Sequence, residues 1–120
     1  MTIVVTLPVC MDVAFLESSV HLLEHVTPTI TRDFVLLITE DGSNSSELVD
    51  RLKDRYPNIV YFRRDERLGR GKALRESWRR VPGDVYLFMD VDRATDLMRF
   101  DAYRRLIENV ENFDLVTGSR

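Results

Sequence analysis

Short apolar runs rich in β-branched and aromatic residues alternate along this chain with stretches whose apolar residues recur every three or four positions. No other feature restricts the fold as strongly. Ile3–Leu7, Phe34–Thr39, Ile59–Phe62 and Val85–Met89 read as strands, and Leu115–Thr117 opens a fifth. Near-continuous runs of this kind mark strands covered on both faces. Leu16, Val20 and Leu23 form a first helical stripe, closed by Pro28. Leu48, Leu52 and Tyr56 form a second, with candidate N-caps between Ser43 and Ser46 and Pro57 beyond its end. Leu74, Trp78 and Val81 form a third, ended by Pro82-Gly83, and a fourth runs from about Leu97 to Val110. Strands separated by single helices are βαβ units. The expected fold is therefore α/β: a mainly parallel sheet with strand one central, helices on both faces and Trp78 packed inward.

The chain has 120 residues, 44% of them hydrophobic and 31% charged, which suits one globular domain over residues 1–120 and excludes a disordered or fibrous chain. A single cysteine, Cys10, excludes an internal disulfide framework and points to a reducing, cytoplasmic compartment. The longest uncharged run, Met1–Met11, is too short to span a bilayer and lacks a signal-peptide pattern. Net charge is −3, but it is uneven: Arg63–Arg80 holds eight basic and three acidic residues, a local +5 that leaves the remainder at −8. A basic patch on an acidic chain suits a small anionic ligand such as a phosphate better than nucleic acid, although a solvated helix face would look the same.

In parallel α/β sheets ligands bind beyond the carboxyl ends of the strands. Three polar groupings fall there. Glu40-Asp41-Gly42-Ser43 follows strand two, and an acceptor-rich strand end suits a base or ribose, or simply a turn and helix cap. Gly69-Arg70-Gly71-Lys72 leads into the third helix; its glycines permit close backbone approach and its cations favour an anion at the helix start. The spacing is neither that of a P-loop nor that of the dinucleotide fingerprint. Asp90-Val91-Asp92 follows strand four. Carboxylates two apart at a strand end can point the same way and offer hard oxygen ligands for Mg²⁺ or Mn²⁺, or else serve a turn. Two other patterns lead nowhere. His21-Leu22-Leu23-Glu24-His25 has the spacing of a zinc helix, but the chain has two histidines in all and both lie opposite the apolar stripe. Cys10 has no histidine placed to activate it.

Taken in order, these segments resemble the amino-terminal half of a family 2 glycosyltransferase of the GT-A fold, nearest to the dolichyl- or polyprenyl-phosphate sugar synthases. Ile3–Pro8 resembles the family's first strand and its proline, Ile38–Ser43 its Val-Asp-Asp-Gly-Ser segment, and Pro57–Leu74 its Asn-x-Gly-x-Gly-x-Ala-Leu stretch. Gly83–Asp92 resembles the Gly-Asp…Asp-x-Asp segment, and Gly118-Ser119-Arg120 the Gly-Ser-Arg that follows the next strand. The sequence departs from the pattern in four places. The first loop reads Pro8-Val9-Cys10-Met11-Asp12, Glu40 stands for the first Asp, Arg67 stands for the Asn, and Ala94 stands where Gln is common.

The resemblance implies a Rossmann-like GT-A nucleotide-diphospho-sugar transferase fold that is incomplete on its carboxyl-terminal side. It implies a nucleotide-diphospho-sugar donor held by Pro8, Asp41, Gly69, Arg70, Lys72 and Asp90, with Asp92 and Asp90 holding Mg²⁺ or Mn²⁺. The acceptor would be a polyprenyl phosphate or a glycan, and the place of work cytoplasmic or peripheral at the cytoplasmic membrane face. The catalytic base of such enzymes lies beyond the Gly-Ser-Arg segment, so no catalytic residue is assigned. The 120-residue chain is expected to bind donor and to transfer no sugar by itself. A missing half or a homo-oligomer would cover the edge and apolar surface left open. The competing reading is a non-catalytic nucleotide-binding module of the same fold.

Overall fold

A computed structural model describes residues 2–10 and 13–88 of the chain. Strand β1 (Ile3–Val9) leads through a 3₁₀ turn at Val13–Phe15 into helix α1 (Leu16–Val26). Then follow β2 (Phe34–Asp41), α2 (Ser46–Arg55), β3 (Ile59–Arg64), α3 (Arg70–Arg80) and β4 (Val85–Phe88). The four strands form one sheet in the order β3-β2-β1-β4, every neighbouring pair parallel. The expected α/β architecture is met, with β1 in the interior. The fourth helix and fifth strand expected from the sequence lie outside the described residues.

Side-chain alternation sorts the core into two layers. Ile3, Val5, Leu7 and Val9 of β1, with Leu36 and Ile38 of β2, face α1 and α2, where Leu16, Val20, Leu23, Val49 and Leu52 close the layer. Val4 and Leu37 face the other way, onto Val81 and Trp78 at the end of α3. Trp78 packs inward as expected: its indole N–H donates to Thr6 Oγ1 at 2.9 Å, and its ring lies 5.4 Å from that of Tyr86. A buried indole needs such a partner.

Two expectations change. Strands one, two and three run further than their apolar runs, to Val9, Asp41 and Arg64, because the ladder continues through the pairs Val9↔Glu40, Glu40↔Arg63 and Asp41↔Arg64. The histidines also part company. His25 is exposed, but His21 is half-buried, with Nδ1 2.7 Å from the Tyr56 hydroxyl and the two rings edge to face. Tyr56, just past the end of α2, lies against that part of α1 and partly shields His21 from solvent.

Candidate functional site

The carboxyl edge of the sheet carries the chemistry. Consecutive residues in a strand face opposite ways, so the two carboxylates that end β2 have separate tasks. Glu40 points to the α1/α2 side and is 1% exposed. Its Oε1 accepts from the Ser45 backbone N–H at 2.8 Å and from the Tyr61 hydroxyl. Its Oε2 accepts from Ser43 Oγ at 2.5 Å and Ser45 Oγ at 2.8 Å. Burial pushes the Glu40 carboxyl up, but the hydrogen bonds from Ser43, Tyr61 and Ser45 outweigh it and hold it below the ordinary carboxylate range. Burial and the neighbouring carboxylate push the Tyr61 phenol well above its ordinary value. Ser45 does sit at the N-cap of α2, yet its hydroxyl goes to Glu40 and caps nothing. Asn44 Oδ1 accepts from the Ser46 N–H at 3.0 Å instead.

Asp41 points to the α3 side and is 5% exposed. Its Oδ1 accepts from the Leu68 N–H at 2.8 Å and its Oδ2 from the Gly69 N–H at 2.9 Å. One carboxylate thus ties the loop before α3 to the end of β2. An ionised carboxylate offers about four acceptor positions, so two remain for a ligand. Gly69 sits at the N-cap of α3 with φ +94° and ψ 148°, a conformation almost confined to glycine, and open space lies where a Cβ would be. Gly42, with φ +81°, turns the chain out of β2, and its N–H donates to the Arg64 carbonyl at 3.0 Å.

The N-terminus of α3 therefore opens at this edge. The first amides of a helix lack intrahelical partners and carry the positive end of its dipole, which suits an anion. Helices α1 and α2 carry Glu17 and Glu47 in their first turns, whereas α3 has no acid there and has Lys72, which is exposed. Basic residues close by are already engaged: Arg63 Nε donates to the Ser43 carbonyl at 2.9 Å and its guanidinium pairs with Asp65 at 2.7 Å, while Arg64 pairs with Glu76.

Of the candidate site residues, Pro8, Asp41, Gly69 and Lys72 lie on elements that end or begin at this edge, with Pro8 in register with Thr39. Arg70 opens α3. Asp90 and Asp92 lie outside the described residues. Among the described residues no three His, Cys, Asp or Glu side chains group as a metal site, so these alone do not form a metal cage. Sequence reasoning missed the inward anchor formed by Glu40 and Tyr61. Its signal was present: Leu36, Ile38 and Glu40 share one face by the period of two, as do Ile59 and Tyr61.

An all-parallel sheet with helices on both faces defines an α/β domain of the doubly wound kind. The chain belongs to glycosyl transferase family 2, whose family model matches residues 5–120. It is 32% identical over 122 residues to glycosyltransferase AglD of Haloferax volcanii, covering 97% of this chain and 19% of that protein. It is 30% identical over 90 residues to dolichyl-phosphate β-glucosyltransferase ALG5A of Trichomonas vaginalis, covering 71% of this chain and 28% of that one. The chain thus spans between about a fifth and just over a quarter of these relatives. In fold it is similar to a Pyrobaculum calidifontis mannosyltransferase solved in complex with GDP-Man and Mn²⁺. The TM-score is 0.66 at 17% identity, over 75% of this chain and 27% of that one.

Proposed function

We propose that the carboxyl edge of this sheet binds a nucleotide-diphospho-sugar, together with Mg²⁺ or Mn²⁺, as the donor half of a glycosyl transfer. The observation that carries the reading is the tether from Asp41 to the Leu68 and Gly69 amides, which brings the start of α3 to the strand end. In this reading the remaining acceptor positions of Asp41 take hydrogen bonds from base or ribose. The amides and cations at the start of α3, with Arg70 and Lys72, supply positive potential for the diphosphate. Pro8 and Gly69 shape the walls, and Asp90 borders ribose and metal. Asp92, with Asp90, supplies the hard oxygen ligands that Mg²⁺ and Mn²⁺ prefer. When bound, the cation offsets the charge that grows on a departing nucleoside diphosphate.

The mannosyltransferase with GDP-Man and Mn²⁺ supports the donor class, and the dolichyl-phosphate relative supports a polyprenyl-phosphate acceptor over a glycan. Among the described residues no helix is long and apolar enough to cross a membrane. Calorimetric titration with a panel of nucleoside diphosphates, with Mn²⁺ and with chelator, tests the reading. Saturable binding of at least one nucleotide, strengthened by Mn²⁺, is expected. No binding of any nucleotide under either condition refutes it.

A further inference from the structure

Helix α3 presents a cationic row of which the donor site, as proposed above, uses Lys72 alone. At 3.6 residues per turn, Lys72, Arg75 and Arg79 (i, i+3, i+7) line up on the side directly opposite Ala73, Leu74 and Ser77, which face the sheet. All three are exposed, and among the described residues none has an ion-pair partner. Arg67, just before the helix, is exposed as well. The one acid on the helix, Glu76, is held by Arg64 and does not interrupt the row. Like charges three and four residues apart weaken a helix, and a cation in the first turn opposes the helix dipole. Arg79 lies in the last turn, where a cation is favoured; Lys72 and Arg75 have no such local reason.

We propose that the outer face of α3 docks this domain on an anionic bilayer surface. The row runs along one side of a helix and all three of its residues are exposed, so a plane can reach it. The chain outside Arg63–Arg80 carries −8 in all, so a negative surface favours this segment over the rest of the chain, which orients the domain as well as binding it. A nucleic acid fits less well: among the described residues the large exposed apolar side chains are Phe15 and Phe88, neither on α3, so these residues give the face no platform for stacking bases. Because α3 begins at the carboxyl edge of the sheet, docking along its length would bring that edge close to the lipid headgroups.

The test is sedimentation of the 120-residue chain with vesicles of phosphatidylcholine alone or with phosphatidylserine added, and no nucleotide present. Binding to the anionic vesicles alone is expected, weakened by raising salt from 0.15 to 1 M as the screening length shrinks from ~8 to ~3 Å. Arg75→Gln/Arg79→Gln leaves Lys72 in place and should bind about thirtyfold more weakly, from the usual gain per basic residue at such a surface. Arg51→Gln/Lys53→Gln removes the same charge from α2 and should bind like the parent chain. A circular-dichroism melt shows whether each variant folds, and Arg75→Lys/Arg79→Lys, which keeps the charge, should restore binding. Equal loss in both Gln variants, no preference for anionic vesicles, or tighter binding to a duplex oligonucleotide than to vesicles would each overturn the proposal.

Discussion

Glu40 holds together the turn that carries the candidate site, and removing it should cost more than removing any single exposed charge. Its carboxylate accepts four hydrogen bonds at 1% exposure. In Glu40→Ala the serine hydroxyls can turn to other partners, but the Ser45 N–H and the Tyr61 hydroxyl lose theirs. Orphaned buried donors cost about 1–3 kcal/mol each, so with the lost packing the variant should lose about 3–5 kcal/mol. That is a large part of the ~5–15 kcal/mol typical of a domain. Glu40→Gln keeps the volume and an acceptor for Ser45 N–H and Tyr61, while its amide can donate to Ser43 or Ser45 Oγ; about 1–2 kcal/mol is expected. Urea unfolding followed by the fluorescence of Trp78, the chain's one tryptophan, reads both. With a slope of ~2 kcal/mol/M the Ala midpoint should fall by about 2 M. The pH dependence separates charge from shape. The folded Glu40 titrates below its ordinary value of 4.5, so its contribution is present above that pH and is lost as pH falls through it toward the folded value. The parent should therefore lose more stability than Glu40→Gln on going from pH 6 to pH 3. A loss under ~1 kcal/mol in Glu40→Ala, or the same acid sensitivity in parent and Glu40→Gln, would refute the role assigned to the network.

Three further outcomes are expected. Gly69→Ala should destabilise by about 1–3 kcal/mol in urea although a Cβ there meets nothing, because φ +94° is the obstacle and not space. Asp41→Ala should speed hydrogen exchange at the Leu68 and Gly69 amides while leaving the core strands protected, since those two N–H groups lose their acceptor. Asp92→Ala should abolish the Mn²⁺ enhancement of nucleotide binding in calorimetry while the unfolding midpoint stays within the scatter of the parent.

The apolar signal made the scaffold legible. Ile3–Leu7 and Leu36–Thr39 are buried on both faces, and the α1 and α2 stripes cover one side of the sheet. What it could not show is where burial continues through polar residues. Glu40 and Asp41 read as an exposed acceptor-rich turn, because hydropathy has no means to tell a satisfied buried carboxylate from a solvated one. The ladder partners Arg63 and Arg64, and the donors Tyr61, Leu68 and Gly69, come from segments distant in sequence. His21 was misread for a similar reason: the stripe of α1 alone gives no sign that Tyr56, just past the end of α2, lies against it. Gly69 was legible as part of a helix start, whereas its positive φ appears only in the structure.

The central claim is that donor and metal meet at the carboxyl edge of this sheet, and paramagnetic broadening by Mn²⁺ in ¹⁵N-resolved spectra with a saturating nucleoside diphosphate tests it most directly. Amides of Cys10, Gly42, Leu68 and Gly69 should broaden beyond detection, while Thr2, Asn58 and Asp84, at the amino edge where Asp84 N–H meets the Thr2 carbonyl, should stay sharp. Broadening centred on the amino edge, or none at the carboxyl edge with nucleotide and Mn²⁺ both present, would contradict it.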